Sequence, residues 1–230
     1  MSQPPPVADS TPRDCKRIII VGAGGFGREV LQWARHAWPS HAQKIIGFLS
    51  DDPHALDGHS ATLPILGAPD SFELQPTDGL VLGIGIPRVR RVVAEQLEAR
   101  GGRFLTMIHP TAIVADTAVI GPGSVICPSA VVSDAVRLGR FVLVNYHASL
   151  GHDAEAGDFA VLSPYATLGG RAKVEADVFL GLHASVGPGR RLGEGTVVSS
   201  NSVALVDTAE NSLVYGVPGR VGPKLEVNAK

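Results

Sequence analysis

A histidine followed by an acidic residue is the first feature of the sequence that could carry chemistry. His152 lies in the segment LGHDAEAGDF, between Gly151 and Asp153. An imidazole can take a proton from an attacking group near neutral pH, and a carboxylate beside it fixes the tautomer and stabilises the imidazolium. His152 is therefore a candidate general base. Asp153 is one candidate for its carboxylate partner, although it could equally form a surface ion pair with Arg171.

A glycine-rich turn near the N-terminus is a second candidate site. The sequence GAGGFG from Gly22 to Gly27 has the pattern G-x-G-x-x-G and lies between an apolar strand and a helix. The amides of such a turn, together with the helix N-terminus, can cradle a phosphate. The residues predicted to form this cradle are Gly22, Gly24, Gly25, Phe26 and Gly27.

Two carboxylates follow the next apolar strand. Asp51 and Asp52 end the segment GFLSDD, where an acidic side chain can bind a ribose hydroxyl or a base edge. A dinucleotide-dependent dehydrogenase is an obvious alternative, but nothing remains in the chain to form a nicotinamide half. The pattern favours a single nucleotide, and a structural turn that binds nothing stays open as the other interpretation.

Strands and helices alternate through the first part of the chain. The predicted strands are RIIIV, KIIGFLS, LPILG, GLVLGIG and RFLTMI, and the predicted helices are REVLQWARHAW and a segment from about Pro87 to Arg100. This alternation indicates a small parallel sheet with helices on its faces, a Rossmann-like nucleotide-binding domain.

A repeat of six residues replaces this pattern from Ile108. Sixteen hexads run from Ile108 to Val203 without an insertion, and each begins with Ile, Val or Leu except the one that begins with Ala156. Each hexad can form one short strand and one corner, so three hexads form a coil of a parallel β-helix. The coils then stack about 4.8 Å apart with the aliphatic first positions inside.

Residues 18 apart must lie above one another in such a prism. One column contains Asp134, His152, Gly170 and Pro188. Asp134 is therefore a second candidate for the carboxylate that orients His152. Gly170 could present its N–H to a developing oxyanion without obstruction by a side chain. The column predicts a site for acyl transfer.

A second column contains His147, Tyr165, His183 and Asn201, which could line a cleft or form a solvated face. His147 and His152 are five residues apart, as in the β-helical γ-class carbonic anhydrases, which bind zinc through three histidines. The position of the third ligand is here Thr111, and His109 misses it by two residues. We therefore predict no metal site.

The hexads resemble those of the hexapeptide-repeat acyltransferases, a resemblance that implies a left-handed β-helix and active sites between the subunits of a trimer. The segments GAGGFGREV, GFLSDDP, IHPTA, LGHDAEAGDF and YGVPGR together resemble the PglD/NeuD-type sugar acetyltransferases from about Lys16 to Gly222. The resemblance implies a bacterial cytoplasmic homotrimer that moves acetyl from acetyl-CoA to an amino sugar carried on a nucleotide, or to a hydroxyl of sialic acid. It makes His152 the general base, Asp153 its partner and Gly170 the amide that holds the thioester carbonyl.

Two positions depart from that family. Many relatives have a second histidine nine residues after the catalytic one, where this chain has Val161, and relatives often have Asp or Asn near the position of Ile86. The mechanism predicted is direct transfer in a ternary complex, with Cys127 as packing. The cations predicted to bind the CoA phosphates are Arg190, Arg191, Arg220 and Lys224.

Three functions remain open at this point. The first is an N-acetyltransferase acting on a nucleotide-linked 4-amino-4,6-dideoxy sugar. The second is a sugar O-acetyltransferase of the sialic acid type. The third, of a different class, is a nucleotide-sensing binding module with a non-catalytic β-helix.

Composition narrows the partners and the compartment. The 230 residues include 20 Lys and Arg against 22 Asp and Glu, a balance that argues against nucleic acid and anionic membrane surfaces. No apolar run is long enough to span a bilayer, no secretory signal is apparent, and two cysteines cannot form a disulfide framework, so we expect a cytoplasmic protein. The predicted divisions are a disordered leader at 1–15, the Rossmann-like domain at 16–107, the β-helix at 108–206 and a tail at 207–230 that packs on the β-helix.

Overall fold

The computed structural model describes residues 12–60 and 63–224 of the chain. Most of the predicted leader, residues 1–11, lies outside the described residues. A four-stranded parallel sheet comes first, in the order β3-β2-β1-β4. Its strands are β1 Arg17–Val21, β2 Ile45–Leu49, β3 Ile65–Gly67 and β4 Asp78–Leu82. From β1 the chain adds β2 and β3 on one side of the sheet and β4 on the other. Such a change of side creates a crevice at the carboxyl ends of β1 and β4.

Two helices cover opposite faces of the sheet. Helix α1, Gly25–Ala37, buries a stripe that includes Val30, Leu31 and Ala34, and a 3₁₀ turn follows at Pro39–Lys44. Helix α2, Pro87–Ala99, begins with proline in its first turn, where the missing N–H costs nothing. The helices pack against alternate residues of β1, so the predicted Rossmann-like layers are present.

The predicted last strand, RFLTMI, is divided between two sheets. Phe104 forms an isolated bridge with Leu80, whereas Met107 and Ile108 pair with Val125 and Ile126 in the second part of the chain. The single-strand prediction is therefore wrong, because the chain leaves the first sheet beside β4 and enters the repeat within a few residues.

The hexads form a prism of two-residue strands. The second residue of these strands, which is the first position of each hexad, faces an apolar core. Partners in neighbouring coils are 18 residues apart, as in Leu143 with Val161 and Ser149 with Thr167. The strands β5 to β21 are Met107–Ile108, Ile113–Val114, Val119–Ile120, Val125–Ile126, Val131–Val132, Arg137–Leu138, Leu143–Val144, Ser149–Leu150, Glu155–Ala156, Val161–Leu162, Thr167–Leu168, Lys173–Val174, Phe179–Leu180, Ser185–Val186, Arg191–Leu192, Val197–Val198 and Val203–Ala204.

Three edges connect the three faces of the prism. The first edge, which contains residues 134–135, 152–153, 170–171 and 188–189, joins the six-stranded sheet to the five-stranded one. The second edge contains 146–147, 164–165 and 182–183, and the third contains 140–141, 158–159 and 176–177. Most corners turn through a residue with positive φ, such as His147 at 57° and Asp153 at 58°.

The C-terminal segment extends the eight-stranded sheet. Strand β22, Ser212–Tyr215, pairs with β20, and β23, Arg220–Pro223, runs antiparallel beside it. Of the predicted tail, residues 225–230 lie outside the described residues. Within the residues described, no helix is both long and apolar enough to cross a membrane.

The α/β part packs on one face and one edge of the prism. Val125, Leu143 and Val161, on the outer face of the eight-stranded sheet, share a buried cluster with α1. On the third edge Phe141 stacks on Phe159 at 4.9 Å between ring centroids, and Arg91 of α2 donates to Asp177 at 2.9 Å. The two parts therefore share a continuous core.

A pair of histidines lies at this junction. His109 Nε2 is 3.3 Å from His36 Nδ1, and the amide of Thr111 donates to His109 Nδ1 at 3.2 Å. The hydroxyl oxygen of Thr111 is also 2.8 Å from Nδ1, so both ring nitrogens of His109 have a polar partner. Burial, and secondly the neighbouring His36, lower the pKa of His109 from its ordinary value of 6.5.

We expect the free energy of unfolding to decrease as the pH falls below about 6.5, the ordinary value for histidine. Native His109 binds a proton less readily than the unfolded chain does, so the contribution is complete above that pH and is lost below it. Urea unfolding at several pH values measures how steeply the free energy of unfolding changes with pH. His109→Asn should make this pH dependence less steep. His59→Asn, at an exposed position, controls for the loss of a histidine, and equal slopes in wild type and His109→Asn would contradict the prediction.

Candidate active site

His152 lies on the first edge of the prism with its ring half-exposed. Its Nδ1 is 2.8 Å from Oδ2 of Asp153, so the two adjacent side chains form a hydrogen-bonded pair. Asp153 has a positive φ, as most corner residues of the prism do. Nε2 is left to face a reacting group, as a general base requires.

Gly170 lies directly above His152 in the next coil. A Cβ on Gly170 would lie 2.5 Å from Nε2 and 2.8 Å from Cε1 of His152, so the imidazole occupies the space that any side chain there would need. No hydrogen-bond partner is found for the Gly170 amide among the described residues. The glycine therefore provides both room for the ring and a free N–H beside it.

Asp134, the other candidate partner, is engaged elsewhere. Its carboxylate accepts a hydrogen bond from the hydroxyl of Thr117 at 2.5 Å, and its carbonyl oxygen accepts from the amide of Asp153 at 2.9 Å. Asp134 thus supports the corner that carries Asp153, while the carboxylate hydrogen-bonded to His152 is that of Asp153.

Asp153→Asn should lower the kcat of the reaction that uses His152 by about 10-fold or more, because the variant loses the carboxylate that holds the Nδ1 side of the imidazole. Asp134→Asn should cost less, since its carboxylate contacts Thr117 and not the imidazole. Steady-state rates of the two purified variants decide between the two carboxylates. A larger loss for Asp134→Asn would reverse the assignment.

The second edge carries a ladder of stacked rings. Ring centroids are 4.8 Å apart between His147 and Tyr165 and 4.6 Å apart between Tyr165 and His183. Tyr146 contacts this ladder edge to face and also meets Trp33 of α1 at 6.3 Å. Sequence reasoning identified the column but missed its link to α1, because no spacing rule relates Trp33 to Tyr146.

The histidines do not assemble into a metal site. His147 lies on the second edge and His152 on the first. No group of three His, Cys, Asp or Glu side chains able to hold a metal ion is present in residues 12–60 and 63–224.

The glycine-rich turn is built by close backbone contacts at the crevice between β1 and β4. A Cβ on Gly27 would lie 1.9 Å from the carbonyl oxygen of Gly22, and one on Gly22 would lie 2.9 Å from that of Gly83. Gly22 also has a φ of 104°. At Gly24 a Cβ would meet nothing within 4 Å, so the helix N-terminus opens onto free space as a phosphate site requires.

Both apolar and polar side chains belong to this turn and to the segment after β2. Phe26 packs edge to face on Trp33 at 5.9 Å. Asp51 and Asp52 are exposed after β2, and Asp52 accepts a hydrogen bond from the amide of His54. Arg28, which sequence reasoning missed, donates to the carbonyl of Ala23 at 3.4 Å, and its position directly after GAGGFG was the available signal.

The cations predicted to bind CoA are spread over the C-terminal part of the prism. The Nη1 atom of Arg190 lies 3.5 Å from Oδ1 of Asp207, and Nε of Arg191 donates to Oε1 of Glu175 at 2.9 Å. Arg220 belongs to β23. Lys224 donates to the carbonyl of Gly195 on the third edge, away from the edge of His152.

The two positions that depart from the family pattern are also placed. Val161 is buried against the α1 cluster, so a side chain there faces the α/β part rather than His152. Ile86 is 60% exposed at the start of α2, beside the crevice.

Comparison with known proteins agrees with this arrangement. Residues 17–97 match the family described as PglD N-terminal domain. UDP-N-acetylbacillosamine N-acetyltransferase of Bacillus subtilis (strain 168) is 31% identical over 113 residues, which are 48% of this chain and 51% of the relative. The chain thus matches about half the length of this curated relative.

Two solved structures share the whole architecture. The acetyltransferase domain of PglB from Neisseria gonorrhoeae FA1090, in complex with acetyl coenzyme A, is 28% identical with a TM-score of 0.81, over 90% of this chain and 98% of that one. PerB from Caulobacter crescentus, in complex with CoA and GDP-perosamine, is 25% identical with a TM-score of 0.79, over 90% and 97% of the two chains. The predicted fold class, a Rossmann-like domain followed by a left-handed parallel β-helix, is confirmed, as is the resemblance to the PglD/NeuD-type family.

Proposed function

We propose that this chain is an acetyl-CoA-dependent N-acetyltransferase that acts on the amino group of a nucleotide-linked 4-amino-4,6-dideoxy sugar. The observation that carries the proposal is the packing of the His152 ring against Gly170, with Asp153 on its Nδ1. The matching folds of the acetyl-CoA complex of the PglB domain and the GDP-perosamine complex of PerB support the choice of substrates.

The proposed reaction needs one side chain, His152, to carry a proton from the sugar nitrogen to the sulfur of CoA. The sugar ammonium first loses one proton to solvent to become the reactive amine. The amine nitrogen then attacks the thioester carbonyl carbon, and Nε2 of His152 takes one of its two protons, so that one N–H stays in the amide product. The C–S bond then breaks, the CoA thiolate leaves, and the imidazolium returns a proton to the sulfur. In this mechanism the Gly170 amide donates a hydrogen bond to the oxyanion of the tetrahedral intermediate.

No covalent intermediate on the enzyme is required. Cys127 is fully buried, and burial raises the pKa of its thiol well above the usual value, so it is a poor nucleophile. This supports direct transfer between the two bound substrates.

The substrates divide between the two parts of the chain. We assign the nucleotide to the segment 16–107, with its diphosphate at the turn from Gly22 to Gly27 and its ribose or base near Asp51 and Asp52. We assign acetyl transfer to the β-helix, the segment 108–206. Of the C-terminal segment 207–230, strand β22 extends the eight-stranded sheet of the prism.

The outer face of the six-stranded sheet supports assembly as a homotrimer. This face lies between the first edge, with His152, and the second edge, with the ring ladder, and its outward residues are uncharged: Ile113, Val131, Ser149, Thr167, Ser185 and Val203. The five-stranded sheet instead exposes ion pairs such as Lys173 with Glu155. Packing of the uncharged faces would bring His152 to a groove between subunits, where Gly170 and Arg190 can contact CoA. A cytoplasmic location, where acetyl-CoA is available, fits this function.

Thiol release from acetyl-CoA tests the proposal. Acceptors are UDP-, dTDP- and GDP-linked 4-amino-4,6-dideoxy sugars, with N-acetylneuraminate as a hydroxyl acceptor. We expect turnover with one amino sugar. Turnover with sialic acid alone would assign O-acetylation, and nucleotide binding without any turnover would indicate a binding module.

A further inference from the structure

A fully buried arginine lies beside the nucleotide crevice without a carboxylate partner. Arg90, near the start of α2, donates to the carbonyl oxygens of Leu82 at 3.4 Å and of Ile84, and to that of Phe141 at 3.0 Å. Its Nε is buried with no hydrogen-bond partner. Among the described residues no Asp or Glu forms an ion pair with it. The carbonyl dipoles therefore compensate only part of the positive charge that Arg90 carries in the protein interior.

Two titratable side chains are found near Arg90: Cys127 interacts with it electrostatically, and Glu29 interacts with Cys127 but forms no ion pair with Arg90 in the part of the chain that the structure describes. The titratable side chain that interacts electrostatically with Arg90 is Cys127, whose thiol stays neutral because burial raises its pKa. Burial lowers the pKa of the Arg90 guanidinium to about 9, so the group is charged at neutral pH. An unpaired buried cation is costly, and such a charge is normally paired.

The charge adjoins the place where phosphates are proposed to bind. The Cγ1 atom of Ile84 and the carbonyl oxygen of Gly83 each lie 2.9 Å from the position of a Cβ on Gly22. The segment 82–84 thus contacts the glycine-rich turn and also accepts the hydrogen bonds of Arg90. In open α/β sheets ligands bind in the crevice at the carboxyl ends of the strands, which is where this segment lies.

We propose that the diphosphate of the bound nucleotide is the counter-ion that Arg90 lacks, so that Arg90 selects ligands by charge without contacting them. The inference rests on the proposed function, which places a diphosphate at the turn from Gly22 to Gly27. A charge surrounded by protein interacts with another over a longer distance than it would in water, and salt screens it less. Diphosphate affinity should therefore depend on Arg90, whereas affinity for the uncharged nucleoside should not.

Calorimetric titration of the full chain tests this with UDP, GDP and dTDP and with the matching nucleosides. For Arg90→Met we expect the ratio of nucleoside Kd to diphosphate Kd to fall by about tenfold, an effect that persists at 0.5 M salt. Arg90→Lys keeps the charge and should restore most of the ratio. Arg100→Met is the matched control, because Arg100, like Arg90, donates to backbone carbonyl groups, in its case those of Pro69 and Phe72 at the other end of α2.

A second variant tests the same idea if Arg90→Met does not fold. Cys127→Asp supplies an internal counter-ion and should weaken diphosphate binding while nucleoside binding holds, with Cys127→Ser as its control. An unchanged ratio in Arg90→Met, or equal weakening of both ligands, would overturn the role of Arg90. If wild type binds no nucleoside diphosphate at all, the proposed function itself fails.

Discussion

His152→Ala should lower kcat for acetyl transfer by about 10²-fold to 10⁴-fold, the range that general base catalysis supplies. The ring lies on the prism surface with Nδ1 bound to Asp153, so its removal leaves the fold and the apolar core intact. KM for both substrates should change little, because the imidazole acts on the proton in the transition state. Thiol release under saturating acetyl-CoA measures the loss.

The matched control is His41→Ala. His41 is hydrogen-bonded to the hydroxyl of Ser40 in the 3₁₀ turn and lies outside the proposed site. Its variant should keep wild-type activity. Activity of His152→Ala within a few-fold of wild type would remove His152 from the mechanism, and a matching loss in His41→Ala would indicate general destabilisation.

Gly170→Ala should lower kcat by about 10²-fold although it adds a single methyl group. The new Cβ would lie 2.5 Å from Nε2 of His152, so the imidazole must leave its position on Asp153. A displacement of about 1 Å at a reacting group is enough for a loss of this size. The substitution keeps the backbone N–H at residue 170, so it tests the space for the ring separately from the amide.

A double variant shows whether the methyl group acts through the histidine. In a His152→Ala background the ring is absent, and Gly170→Ala should then cost little further activity. Additive losses would mean that residue 170 acts on CoA or on the backbone instead. Thermal unfolding of each variant checks that the coil remains folded.

The repeat made most of the fold predictable from the sequence. The six-residue repeat continues without interruption from Ile108 to Val203, which predicts a prism with the first position of each hexad inside. The structure has a strand at every hexad. The hand of the coil needed family resemblance, because spacing alone does not determine it. The division of RFLTMI was missed, since a local apolar run does not reveal which of two sheets each half joins.

The candidate site was predictable in outline and less so in detail. Stacking by 18 residues placed Gly170 on His152, yet it could not choose between Asp134 and Asp153. That choice depends on side-chain contacts: the Asp153 carboxylate is hydrogen-bonded to His152, and the hydroxyl of Thr117 engages Asp134. Arg90 was out of reach, because its isolation in the core results from packing between distant segments.

The left-handed backbone at the corners has a wider consequence. Inert corners such as Ala135 and Phe141 adopt the same conformation as Asp153, with φ between 55° and 58°. A non-glycine residue pays roughly 1–2 kcal/mol for this conformation wherever it occurs, so a corner that bears a catalytic group costs no more than one that does not. New chemistry can therefore evolve at any solvent-exposed corner by exchange of an outward side chain, while the chain path of the prism stays as it is.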